Sequence, residues 1–116
     1  MANEYLKIRI TSGSAIAIGP GKADLLEAID ACGSISSAAR QMRMSYRRAW
    51  ELVDVMNKCF NQPVVTSSPG GHHGGGAQLT EFGRFILKNY RDLVAKAHLA
   101  VELELHQILS NLNQPD

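Results

Sequence analysis

Between Gly33 and Phe60 two helical patterns lie almost end to end, separated by a connector as short as Arg43-Met44. A link that brief forces a sharp turn, so the two helices must pack on each other through small residues. Ala38 and Ala39 supply them in the first helix. Serines at its front, beginning with Ser34, can accept hydrogen bonds from the free N–H groups of the first turn. Ser45 can cap the next helix, roughly Tyr46 to Phe60. There Ala49, Leu52, Val53, Met56 and Phe60 recur every three or four residues and face inward. Trp50, a lone tryptophan one turn into this packed helix, is expected in the core.

The flanking segments restrict the fold further. Tyr5, Lys7 and Arg9 alternate with Leu6, Ile8 and Ile10 as in a half-buried strand. Thr11 to Ser14 reads as a turn, and Ala15 to Ile18 returns as a second strand. A helix from about Lys22 to Cys32 follows, stopped by Gly33. Beyond the breaker Asn61-Gln62-Pro63, Val64-Val65-Thr66 and Ala77-Gln78-Leu79 bracket a loop from Ser67 to Gly76 with glycines crowded at its end. Thr80 then caps a long helix whose apolar stripe runs through Phe82, Ile86, Tyr90, Leu93, Ala97, Val101, Leu105, Ile108 and Leu112.

The predicted fold is mainly α with two small β-hairpins (α+β): a winged helix-turn-helix with a long C-terminal dimerisation helix. It forms one domain over residues 1–116. Residues 1–19 make the N-terminal hairpin, 20–62 the three helices, 63–79 the wing and 80–112 the long helix. A chain of 116 residues, 45% hydrophobic, buries a core without disulfide staples. From Thr80 to Leu109 the last helix would run roughly 45 Å. That exceeds what so small a domain covers by itself, so its stripe is expected to pair with a second copy: Phe82, Ile86, Tyr90, Leu93, Ala97, Val101, Leu105 and Ile108 form the expected dimer interface.

Charge adds a direction. The formal net charge is only +1, yet between Ala31 and Trp50 there are four arginines, Arg40, Arg43, Arg47 and Arg48, and no acid. A local cationic patch on a near-neutral chain suits a polyanion held at one place. In a helix-turn-helix the second of the paired helices protrudes and its N-terminal turns enter the DNA major groove. Those turns carry Ser45, Tyr46, Arg47 and Arg48, and arginine can donate two bonds to guanine O6 and N7 or grip phosphates. Ser34, Ser36, Arg40 and Arg43 are placed for backbone contacts. The wing, with Gly71, His72, His73 and Gly74 at its tip, is expected over the neighbouring backbone, where glycines permit close approach. The partners expected are double-stranded DNA and a second copy of the chain, with inverted half-sites about 34 Å apart.

Other classes find less support. No Ser/His/Asp, Cys/His or paired-carboxylate spacing suggests catalysis, so no catalytic residue is assigned and no enzyme expected. Cys32 and Cys59 lack metal spacing, and adjacent His72 and His73 point apart in an extended chain, so neither a metal nor another cofactor is expected. The N-terminus lacks a signal-peptide pattern and no apolar run reaches membrane-spanning length, so a cytoplasmic protein is expected. Two rivals remain: a winged-helix module that binds a protein in place of DNA, and a small metal or oxyanion sensor using His72 and His73.

The pattern as a whole resembles a known family. Gly33-Ser34-Ile35-Ser36 with Ala38-Ala39, then Ser45-Tyr46 with Ala49-Trp50, Met56-Asn57, and Gly74-Gly75-Gly76-Ala77-Gln78-Leu79-Thr80 followed by Gly83 are similar to the N-terminal DNA-binding domain of the ModE family of molybdate-responsive regulators. More distantly, the helix-turn-helix resembles that of LysR-type regulators. The resemblance spans nearly the whole chain. It implies a winged helix that dimerises partly through its last helix and represses or activates transcription. Full-length members carry C-terminal oxyanion-binding domains beyond this point, so molybdate binding is not expected of these residues. At the wing tip His72-His73 stand where the family pattern leads one to expect lysine, exchanging permanent charge for groups that titrate near neutrality.

Overall fold

The structure is a computed structural model that describes residues 6–71 and 74–113. Two antiparallel hairpins and five helices follow in order: β1 (Ile10–Ser12), β2 (Ala15–Ile18), α1 (Pro20–Cys32), α2 (Ile35–Gln41), α3 (Tyr46–Cys59), β3 (Val65–Gly71), β4 (Gly74–Leu79), α4 (Glu81–Ala100) and α5 (Glu102–Leu109). It is an α+β winged helix-turn-helix.

Local chemistry accounts for the boundaries. Pro20 starts α1, where its missing N–H costs nothing. Gly33 ends α1 at φ 80 and donates its N–H to the Ile29 carbonyl, a conformation that only glycine adopts without penalty. The same Gly33 offers its own carbonyl to the Ala77 N–H at 2.9 Å, which ties the wing to the corner between α1 and α2. Ser34, Ser45 and Thr80 each cap a helix through the side-chain oxygen, accepting from Ser37, Arg48 and Gly83.

The core lies where α1, α2 and α3 meet the two hairpins. Ile18, Leu25, Leu26, Ile29, Met56, Val64 and Leu79 are its largest fully buried side chains. Ala38, Ala39 and Ala49 are buried between α2 and α3, so the two helices approach closely, as their small size requires. The Asn57 carboxamide fastens the end of α3 to β3: its oxygen accepts from the Val64 N–H at 2.8 Å and its nitrogen donates to the Val65 carbonyl at 3.1 Å. At the start of α4, Thr80 donates its hydroxyl proton to the Pro63 carbonyl, and Gly83 lies so close to Val64 that a Cβ there would overlap that residue's carbonyl oxygen.

Four sequence expectations change. The first strand is Ile10–Ser12, and Leu6 to Arg9 precede it; Tyr5, the start of the expected strand, lies outside the described residues. β2 offers only four residues before Gly19 and Pro20 turn the chain away, so Leu6 to Arg9 alternate in burial without a ladder partner. The wing strands run further into the glycine loop than the β-branched residues suggest, with Ser68 opposite Gly76 and Gly71 opposite Gly74. The long helix expected over 80–112 divides at Val101 into α4 and α5. Val101 takes φ −109 and ψ 12, and a β-branched residue has little helix preference to resist that opening. Finally, Tyr90 is not on the free stripe. It is 3% exposed, and its hydroxyl donates to the Ile8 carbonyl at 2.7 Å, so α4 spends this side chain on holding down its own N-terminal segment. Burial pushes the phenol above its ordinary pKa.

α4 also packs Phe82, Ile86, Leu87 and Val94 against the core, and it makes ion pairs with α1. Arg91 donates to Asp24 and Glu27, and Arg84 to Asp30, so the acidic outer face of α1 is occupied by α4. Among the described residues, none of these α1 acids pairs with an arginine of the helix-turn-helix. α5 buries no residue at all, and Leu99, Leu103, Ile108 and Leu112 are exposed along α4, α5 and the turn beyond.

Candidate nucleic-acid interface

α3 presents one face inward and three outward. Ala49, Val53 and Met56, spaced four and three apart, are buried. Arg47 lies nearly opposite them, and its side chain is 87% exposed. Tyr46 and Arg48 fall to either side of it, about 200° apart around the helix axis. The Ser45 cap holds this first turn rigid, with the Arg48 N–H donating to Ser45 Oγ at 3.0 Å. Among the described residues nothing covers the outward surface of the first turn of α3.

The arginines differ in their partners. Arg47 donates to Glu51 one turn later at 3.1 Å, an exposed pair weak enough to be exchanged for a nucleic-acid oxygen. Arg48 meets no carboxylate among the described residues. Arg40 rests its guanidinium on the Ser37 hydroxyl at 3.1 Å. Arg43 occupies the connector with φ 58, an unusual conformation for a residue with a side chain. That conformation brings the Met44 N–H onto the Ala39 carbonyl and sets the angle between α2 and α3.

On the Tyr46 flank, α2, α3 and the base of the wing enclose a shallow polar cleft of about 200 Å³, in which Ser36 and Tyr46 face Ser67 and Ser68. The sequence assigns Ser36 and Tyr46 to DNA. Ser67 and Ser68, in a segment that reads as loop, join them only because β3 carries them there. Ser34 is different: it is half-buried and its oxygen is engaged in capping α2. Of the wing-tip positions, Gly71 and Gly74 pair across the hairpin, while His72 and His73 lie outside the described residues.

Trp50 corrects the sequence reading. It is 48% exposed and stands one turn from Tyr46, itself 56% exposed. The core face of α3 is complete with Ala49, Val53 and Met56, and Trp50, one position beyond Ala49, is turned about 100° away from that face. The i,i+4 spacing of Tyr46 and Trp50 is the available signal. An exposed tryptophan on a protruding helix offers a stacking or apolar surface beside the arginines.

Among the described residues no group of three or more His, Cys, Asp or Glu side chains is assembled for a metal ion, and no helix is long and apolar enough to cross a membrane.

No protein-family model matches the chain. Curated relatives do. It is 41% identical over 90 residues to the molybdenum transport protein ModE of Azotobacter vinelandii, covering 78% of this chain and 30% of that protein. It is 36% identical over 90 residues to the transcriptional regulator ModE of Haemophilus influenzae, covering 78% and 35%. It is 38% identical over 77 residues to the DNA-binding transcriptional dual regulator ModE of Escherichia coli, covering 66% and 29%. The chain thus spans about a third of the length of these relatives. Over these stretches of 77 to 90 residues this chain is a homologue of the ModE proteins.

Proposed function

We propose that this chain is a sequence-specific, DNA-binding transcriptional regulator that acts as a homodimer on an inverted-repeat site. The observation that carries the proposal is the first turn of α3. Tyr46, Arg47 and Arg48 project from a capped helix whose opposite face is locked into the core, and nothing in the described chain covers them. A rod of that kind fits the major groove, and arginine is the side chain best suited to guanine edges there. The names of the Haemophilus and Escherichia relatives, a transcriptional regulator and a DNA-binding transcriptional dual regulator, support the same reading.

In this reading Ser45, Tyr46, Arg47 and Arg48 serve the groove, and Ser36, Arg40 and Arg43 serve the backbone. The wing with Gly71, His72, His73 and Gly74 reaches the flanking duplex. The partner copy docks on the exposed apolar residues of α4 and α5, setting two α3 helices about 34 Å apart. The role needs no catalytic residue, metal or cofactor, and it places the protein in the cytoplasm. Of what the relatives' names mention, only DNA binding and regulation are carried over; molybdenum is not.

Selection of bound sequences from random DNA tests the proposal. The wild type should yield an inverted repeat. Arg47→Ala should abolish preference at one base position, and not merely weaken binding to all sequences alike, which is how a base-edge bond differs from a phosphate bond. Binding that is unchanged when Arg47 and Arg48 are both replaced by alanine would refute the assignment.

A further inference from the structure

The flank of α3 away from the wing carries a second surface. There Arg48 and Leu52 meet the N-terminal hairpin and the start of α1 around a cleft of about 340 Å³, into which Lys7, Arg9 and Lys22 also reach. Four cationic side chains therefore share one cleft. Among the described residues no carboxylate lines it and none of the four makes an ion pair. This contrasts with Arg84 and Arg91, each neutralised by acids of α1.

The cost of this gathering is visible at Lys22. Its ammonium is held below the ordinary lysine range, first by burial, with Cys59 pulling the other way and Arg48 and Arg9 lowering it further. Like charges gathered at one place are relieved by an anion. The backbone adds to the attraction. The residue before α1 is Gly19, which has no side chain to cap the helix, so the first-turn N–H groups of Gly21 and Lys22, two residues that line the cleft, have no side-chain cap. A Cβ at Gly19 would come within 3.2 Å of Arg9 Cγ, so the absence of a side chain there lets Arg9 lie across the helix start.

We infer that this cleft is a phosphate subsite that takes the DNA backbone bordering the major groove on the side of α3 opposite the wing. The inference rests on the DNA-binding reading above and extends it. A helix lying in the major groove, about 12 Å wide, has a phosphate strand on each side. The Tyr46 flank and the wing face one strand. The Arg48 flank faces the other, and Lys7, Arg9 and Lys22, drawn from two separate elements, complete the grip on it. Phosphate contacts hold register without reading sequence, so these side chains supply affinity and salt dependence but no base preference.

The test compares the full-length wild type with the Arg9→Gln, Lys22→Gln double variant on the selected duplex across a range of salt concentrations. Circular dichroism verifies that the variant is folded. The slope of log affinity against log salt should become shallower by about one to two units, about one for each phosphate that is no longer neutralised. The selected sequence should stay the same. The Gly21 and Lys22 amide resonances should shift when the duplex is added. Inorganic phosphate at matched ionic strength is the second arm. Saturable phosphate binding at those amides, together with a DNA salt slope unchanged by the double variant, makes the cleft a free-anion pocket and overturns the inference. An altered base preference in the double variant also overturns it. A wild type that binds no duplex defeats the DNA-binding reading itself. A wild type that binds through Arg47, with a double variant of unchanged slope, defeats only this subsite.

Discussion

The first turns of α3 and the outer length of α4 with α5 both leave large side chains in solvent, but they are held in opposite ways. α3 stands on a floor of its own chain: Ala49, Val53 and Met56 are buried beneath it, Ser45 caps its start and Asn57 ties its end to β3. What it exposes is cationic and aromatic. α5 has no floor. None of its residues is buried, and among those it exposes are the large apolar side chains Leu103 and Ile108. A surface fixed in advance by the chain's own core suits a ligand that must be read at ångström precision, because little ordering remains to be done on binding. A helix with an uncovered apolar face draws its stability from a partner, since short helices are marginal in water.

Removal of the floor should have the largest effect. Met56→Ala takes a fully buried side chain from under α3, and the unfolding free energy at fixed protein concentration should fall by about 2–5 kcal/mol, read from urea denaturation. A loss below about 1 kcal/mol would mean that α3 is not held by its own chain, and the contrast with α5 would fail.

The second effect should separate association from folding. Leu103→Gln with Ile108→Gln replaces two exposed apolar side chains of α5. Buried in a dimer, each would contribute about 1.5–3 kcal/mol. Sedimentation should therefore show dimer affinity weakened by at least about tenfold, while folding of the isolated chain changes by less than about 0.5 kcal/mol. A dimer that survives this pair places the partner surface elsewhere.

The smallest effect concerns the joint that aims α3. Arg43→Gly removes the side chain that disfavours φ 58 but adds unfolded-state freedom, and the two nearly offset, so stability should move by less than about 1 kcal/mol. A larger loss, seen by thermal denaturation, would show that the Arg43 side chain itself supports the turn.

Much of the helix-turn-helix is legible in the chain because its signals are local. Ser34, Ser45 and Thr80 announce their helices through a hydroxyl that satisfies N–H groups three residues on, and Gly33 announces an end through a conformation other residues resist. Periodicity is less decisive. The tendency of tryptophan to be buried puts Trp50 in the core, although Ala49, Val53 and Met56 already fill the inward face of α3; periodicity errs elsewhere. It puts Tyr90 on a partner-facing stripe, although the Ile8 carbonyl claims its hydroxyl from 82 residues away. It also draws one helix through Val101, where the backbone opens.

Local residue chemistry thus determined where α2, α3 and α4 start and where α1 stops, that a hairpin lies on either side of the first three helices, and which arginines stand near the front of α3. Tertiary structure decided which of those side chains stay exposed, which acids of α1 are neutralised by α4, and that Lys7, Arg9, Lys22 and Arg48 share one cleft. The reason is physical. Capping and turn formation are settled within a few residues, whereas burial and charge neighbourhood depend on segments that meet only after the chain has folded.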